Sequence, residues 1–465
     1  MIQRNAGRLV AEYFRCSGED LATLTCPDTL PGAPGYFNFG PDVICYGNCS
    51  SGIPEIDVKV ALHDASKHAR VQQSTVALPF DPVQVVDNLR FERYVAQTGD
   101  ENPSLPTNSL IRSLYYKLRP ALPVSARKHL QRLYFRQRVR SPFPSWPIDC
   151  TVEKLMERLL MLSMTASGVK KMPFVWFWPH GAPSCTILTH DVETSQGANG
   201  CRELMDLADR FEIKSSFQLV PEERYSLPNG LLCEIRDRGF EVNVHDLNHD
   251  GRLFFEREEF LRRAKRINEY AHQFNALGFR SAVMYRNADW MNALDVSYDM
   301  SVPNAAHFDP QRGGCCTIFP FFIGELVELP LTTTQDYSLF HILNDFSIQL
   351  WKQQISHILE RNGLISFIVH PDYVNTKATR RVYVDLLHTL SELRAQGNTW
   401  IALPREVASW WRLRSELKLV RAGDSWRIDG AGRERACIAY AEVENGTLRY
   451  SFGTNERTPV TARSS

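Results

Sequence analysis

The sequence predicts an α/β protein built around a (β/α) barrel, and three observations carry that expectation. Between residues 185 and about 412 a helical pattern ends in glycine four times and an apolar run follows at once: RDRGFEVNV, NALGFRSAV, ERNGLISFIV and RAQGNTWIAL. Gly239, Gly278, Gly363 and Gly397 each suit the left-handed position that stops a helix. Helical spacing lies between these runs, as in Phe260, Leu261, Ala264, Ile267 and Ala271. Strands that alternate with helices pair in parallel and carry the helices outside the sheet. About six or more such units favour a barrel over an open sheet.

Four segments are expected along the 465 residues. Residues 1–110 form an N-terminal β-rich region, because GYFNFG, DVICYG and STVALPF are aromatic or β-branched runs between Gly, Pro and Asn. Residues 111–184 are a basic helical and Pro-rich connection. From Arg112 to Arg140 there are nine Lys or Arg and no acid, and Leu130, Leu133 and Tyr134 share one helical face. A helix of this kind sits on an anionic membrane or a polyanion, or serves as a solvated linker. Pro142, Pro144 and Pro147 then straighten the chain. Residues 185–417 are the barrel, and 418–465 form a small C-terminal β element from SWRIDG, ACIAYAEV and TLRYSF.

Composition excludes several classes. Hydrophobic residues at 43% and charged residues at 23% describe a folded chain, not a disordered one. Lys+Arg and Asp+Glu both number 53, so no global field captures nucleic acid, and no nucleic-acid partner is expected. The first twenty residues mix charges without an apolar core of the signal-peptide kind. Eleven scattered cysteines contain no C-x-x-C pair, which suits free thiols in a reducing compartment. The expected location is cytoplasmic.

Three places put reactive residues at the ends of apolar runs. In CTILTHDVET, Asp191 and Glu193 are two apart and share one side of an extended chain. In EVNVHDLNHDG, His245 and His249 are four apart, a spacing that brings two imidazoles to one metal from a single helical turn. In LISFIVHPDY, His370 closes a strand. Residues that follow barrel strands gather at one mouth, where these five would form a metal site with an acid–base partner. Each also has a plainer role: helix caps for the acids, chance spacing for the histidine pair, a strand stop for His370 before Pro371. Asp246, Asn248, Asp250, Gly251 and Leu253 imitate a calcium loop, but Arg257 stands where its bidentate glutamate belongs, so calcium is not expected.

In this order the motifs resemble the polysaccharide deacetylases of the NodB homology type, similar to carbohydrate esterase family 4. The resemblance rests on Thr189-His190-Asp191-Val192-Glu193, His245 to His249, Phe279-Arg280-Ser281-Ala282, Tyr298-Asp299 and His370, and covers about half of the chain. It implies a distorted (β/α) barrel and a hydrolase of carbon–nitrogen bonds that removes N-acetyl groups from a sugar or oligosaccharide in polysaccharide or cell-surface glycan metabolism. It implies Asp191 as general base, Arg280 as the group that keeps it ionised, His370 as general acid and Asp299 as a further catalytic residue. Glu193, His245 and His249 would hold a divalent metal ion, zinc first, with cobalt, nickel or manganese as alternatives. Val192 stands where the family has a second Asp, and Glu193 takes over that ligand position; Ala282 replaces the Pro of the third motif. Tyr285, Trp290, Tyr298 and Tyr373 are candidate sugar platforms or core residues. Two other readings keep the fold: an amidohydrolase-like relative acting without metal on a non-sugar amide, and a catalytically silent glycan-binding or assembly protein.

Overall fold

The computed structural model describes residues 6–95, 141–423 and 425–453. The basic stretch 112–140, and with it the expected membrane- or polyanion-binding helix, lies outside the described residues. No helix among those described is long and apolar enough to cross a membrane. The chain divides into two compact units.

One unit combines residues 1–98, 150–182 and 409–465. It contains several short sheets and the helices Ala6–Phe14, Pro82–Arg90 and Thr151–Ser167. Strand Lys171–Val175, inside the stretch read from sequence as a connection, pairs antiparallel with Ile438–Glu444, which pairs in turn with Thr447–Phe452. Its three chain segments meet at one cation. The buried guanidinium of Arg414 donates to the carbonyls of Val175 at 2.8 Å, Trp176 at 3.0 Å and Tyr13 at 3.1 Å. Burial away from water pulls the Arg414 pKa down to about 9. Five donors in a fixed fork let one side chain satisfy carbonyls from separate strands of chain.

The other unit, residues 99–149 and 183–408, contains the barrel. Its sheet runs in the order Phe321–Ile323, Leu326–Glu328, Tyr298–Asp299, Gly278–Arg280, Glu241–His245, Ser216–Leu219, Cys185–Val192 and Leu364–Ile368, with Trp400–Ile401 also on Cys185–Val192. Every pairing is parallel except the Phe321–Ile323 hairpin. No strand pair closes the ring among the described residues. Instead Leu364 N donates to Ile318 O at 2.8 Å and Ser366 N to Thr332 Oγ1 at 2.9 Å, so irregular chain bridges the gap. The fold is a distorted (β/α) barrel. All strands but the hairpin's first point one way, so Val192, His245, Arg280, Asp299, Glu328 and Ile368 end at the same mouth.

The glycines behave in two ways. Gly239 and Gly397 take the expected left-handed backbone, with φ of 77° and 70°. Gly278 and Gly363 do not: Asn275 at 43° and Asn362 at 60° end those helices instead. Asparagine tolerates the left-handed region, so the glycine after it is free for another purpose. That purpose is close approach. A Cβ on Gly278 would run into the ring of Tyr298, which is fully buried and donates its hydroxyl to Glu241. Gly278→Ala is therefore expected to destabilise the protein by about 1–3 kcal/mol, the usual cost of overpacking. A denaturant midpoint equal to that of the parent protein would show that the ring has room to move.

Candidate metal and acid–base site

The Cys185–Val192 strand is buried along its whole length, and its pleat sorts its side chains. Thr189 and Asp191 face the Arg280 guanidinium: Nη1 reaches Thr189 Oγ1 at 2.8 Å and Asp191 Oδ1 at 2.9 Å. His190 faces the other way, where Nδ1 sits 3.0 Å from Val369 O and burial pulls its pKa down to about 4. Thr194, not either acid, caps the following helix, accepting from Gly197 N at 3.0 Å. Glu193 is left free to turn into the mouth.

There Glu193 Oε1 lies 2.9 Å from His249 Nε2, 3.5 Å from His245 Nε2 and 3.3 Å from His370 Nε2. The Nε2 atoms of His245 and His249 are buried without a hydrogen bond of good geometry. His245 Nδ1 is 3.1 Å from the carbonyl of Arg280, so donation there leaves the Nε2 lone pair facing Glu193. One ligand atom from each of Glu193, His245 and His249 lies within 4.8 Å of the others. Two orphaned imidazole nitrogens and a carboxylate oxygen are the donor set of a divalent metal. The residues fit such an ion.

The histidine pair does not come from a helical turn. His245 is the last residue of its strand, while His249 sits in a loop with φ of 55°. The loop is tied down by the residues that imitate a calcium site: Arg263 Nη1 donates to Asp250 Oδ1 at 2.8 Å and to Asn248 Oδ1 at 3.2 Å. A left-handed non-glycine residue held by its surroundings is a form of strain found at functional sites.

The electrostatics divide the carboxyls. Burial would raise the Asp191 pKa, yet Arg280 outweighs it and holds the group below its ordinary range. Burial likewise opposes ionisation of Glu193, but the imidazoles around it, His249 first, hold it well below. Burial alone would lower His370, yet Asp336 raises its pKa well above the ordinary value. The two meet at 2.6 Å between Nδ1 and Oδ1, and His370 N also donates to Asp336 Oδ2 at 2.7 Å. Asp336 fixes both the ring and its proton.

The structure thus brings together Asp191, Glu193, His245, His249, Arg280 and His370. Asp299, on the strand next to Arg280, is engaged with other partners. Its carboxylate accepts from Ser301 Oγ at 2.7 Å and Ser301 N at 3.0 Å, and shares a hydrogen bond with Glu328. Burial and Asp299 together push Glu328 well above the carboxylate range. Of the four candidate platforms, Tyr298 is enclosed in the core, Tyr285 is buried, and Trp290 packs on Phe254 and Phe260. Tyr373 lies against the reactive group, its ring 4.6 Å from that of His370. Asp336 was not found from the sequence. Its only signal is an acid a few residues beyond the apolar stretch ending in PLTTTQD.

His249→Ala or Glu193→Gln should weaken divalent metal binding at least about 100-fold, since loss of even a supporting partner costs 10–100-fold. Metal analysis of the dialysed proteins reads this, and full occupancy in both variants would refute the ligand set. In the metal-stripped protein Asp336→Asn should lower the His370 midpoint in an NMR titration, because a charge that favours imidazolium is gone. An unmoved midpoint would remove Asp336 from that role.

No protein-family model matches the chain, and no curated protein matches it in sequence. Among solved structures it is similar to a protein assigned as a polysaccharide deacetylase from Mycobacterium smegmatis, at 16% identity over 54% of this chain and 98% of that one, with a TM-score of 0.43. It is also similar to the Xyl-CE4 domain of a multidomain xylanase from the hindgut metagenome of Trinervitermes trinervoides, at 13% identity over 50% of this chain and 92% of that one, with a TM-score of 0.33. A third is the peptidoglycan deacetylase PdaC from Bacillus subtilis, at 11% identity over 49% of this chain and 93% of that one, with a TM-score of 0.32.

Proposed function

We propose that the barrel removes N-acetyl groups from a sugar of a polysaccharide or cell-surface glycan, with a divalent metal ion on Glu193, His245 and His249. One observation carries this reading. An arginine-held carboxylate, a three-ligand cluster and an aspartate-backed imidazole converge on one mouth, with Glu193 Oε1 within 3.5 Å of three Nε2 atoms. The motif order that resembles the polysaccharide deacetylases supports a sugar as the carrier of the amide. Two imidazoles and a carboxylate suit zinc, and also cobalt, nickel or manganese.

When bound, such an ion polarises the scissile carbonyl and acidifies a water molecule. Asp191, kept ionised by Arg280, accepts a proton from the attacking water. The water oxygen bonds to the amide carbon, the carbon–nitrogen bond breaks, and the products are acetate and an amine. His370 donates from Nε2 the proton that the leaving nitrogen needs, and Asp336, bound at Nδ1, keeps the ring protonated beforehand. His245 is oriented through its Nδ1 by the Arg280 carbonyl, so Arg280 serves the base with its side chain and a ligand with its backbone. Asp191 at 3% exposure and His370 at 4% work largely screened from bulk water, where each charge–charge interaction is strengthened.

Acetate release from N-acetylated oligosaccharides, with and without added divalent metal, tests the reading; no release from any of them under either condition would refute it. Asp191→Asn should keep the metal and lose turnover by roughly 10²–10⁴-fold, the range for a positioned base. Arg280→Ala removes the main charge that opposes the burial of Asp191, so its pKa rises and the acidic limb of the pH–rate profile moves to higher pH. A limb that stays in place would take Asp191 out of the mechanism. His370→Ala should slow amide hydrolysis strongly and spare an activated aryl acetate, whose leaving group needs no proton. Equal losses on both substrates would assign His370 to binding instead.

A further inference from the structure

The proton donor marks the side of the scissile bond on which a sugar lies. Under the deacetylase reading, on which this inference rests, His370 serves the amide nitrogen, and that nitrogen is bonded to the sugar. The acetyl group is on the side of the metal ligands, the saccharide on the side of the acid. Next to His370 stand three aromatic side chains in mutual contact. The Tyr373 ring centre lies 4.6 Å from that of His370 and 5.0 Å from that of His341. Tyr337 lies 5.4 Å from His341 and 5.9 Å from Tyr373. All three are half-buried, so each keeps part of its surface open.

Shared hydrogen bonds fix this patch to the acid. Asp336 Oδ1, which meets His370 Nδ1 at 2.6 Å, also accepts from Tyr337 N at 2.8 Å. Tyr373 N donates to His370 O at 3.0 Å, in the short turn Pro371–Tyr373. His341 follows Tyr337 by four residues, within the π-helical segment Ser338–Leu343. Wide turns of this kind often mark functional sites. Phe340 of the same segment is buried, whereas Tyr337 and His341 remain partly open. Burial and the carboxylates of Glu193, Asp336 and Asp372 raise the Tyr373 phenol well above its ordinary pKa, so its hydroxyl stays a donor. Rings with an apolar face and a polar edge match a sugar, which also has both.

We propose that Tyr373, His341 and Tyr337 form the surface on which further sugar units of the substrate pack. The substrate class is then a saccharide chain and not a single acetylated sugar. The acid and the surface share Asp336, so the chain is held in register with the proton donor.

The test is calorimetric titration of the full chain carrying Asp191→Asn, in the presence of zinc, with N-acetylglucosamine as monomer, dimer and hexamer. The hexamer should bind at least about tenfold more tightly than the monomer, and His341→Ala and Tyr337→Leu should each cut that ratio roughly fivefold or more. Tyr337→Leu keeps apolar packing on Phe308 and Ile342, and His341→Ala remains informative if that variant fails to fold. In the chain with Asp191 intact, both substitutions should raise KM for the hexamer more than for the monomer, a split that a merely structural role would not produce. Absence of hexamer binding, equal affinity for all three lengths, or an unchanged ratio in either folded variant would overturn the proposal. Failure of the deacetylase reading shows separately, as no acetate release from any length while length-dependent binding is retained.

Discussion

A fully buried guanidinium is the constraint on which the barrel mouth depends. Arg280 reaches Thr189 and Asp191 with Nη1 and Met300 O with Nε at 3.0 Å, while its own carbonyl receives Asp246 N at 2.8 Å and faces His245 Nδ1. A carboxylate as enclosed as Asp191 stays ionised only with a cation beside it, and removing one partner of such a pair typically costs about 3–5 kcal/mol. The same residue therefore sets the charge of one reactive group and the orientation of another. Its position at the end of a three-residue strand, between the strands that supply His245 and Asp299, lets it do both.

Around that cation the mouth alternates charge. Asp191 and Glu193 are held ionised, whereas Glu328, enclosed next to Asp299, is pushed toward its neutral form. Two adjacent buried carboxyls cannot both ionise cheaply, so a shared proton between them is the economical state. The result is a graded environment in which acids a few residues from equivalent strand ends carry different protonation states.

Much of this was legible in the sequence because barrel strands deliver their last residues to one place. Asp191, His245, Arg280 and His370 each stand at or just beyond the end of an apolar run, and period-two alternation put Asp191 and Glu193 on one side. The long irregular segments were not legible. Asp336 lies in the stretch between Glu328 and Gln349, where no periodicity ties a residue to the mouth. The Phe321–Ile323 hairpin was hidden in a continuous apolar run, although Gly324 and Glu325 between FFI and LVE carry a turn signal. Tyr298 looked like a sugar platform because aromatic residues serve surfaces and cores alike; only the close approach of Gly278 reveals which.

The way Arg414 joins three distant segments has a consequence for biosynthesis. Residues 183–408 of the barrel are contiguous, so most of its strands can pair as they leave the ribosome. The other unit waits. Phe14 is fully enclosed in the finished unit and its carbonyl accepts from Arg414, yet Arg414 and the strands Ile438–Glu444 and Thr447–Phe452 are translated several hundred residues later. Until then its N-terminal apolar side chains lack part of their covering, a state that invites association with other chains or with chaperones. A unit built from segments that flank the barrel in sequence stays incomplete until its last strands have been synthesised.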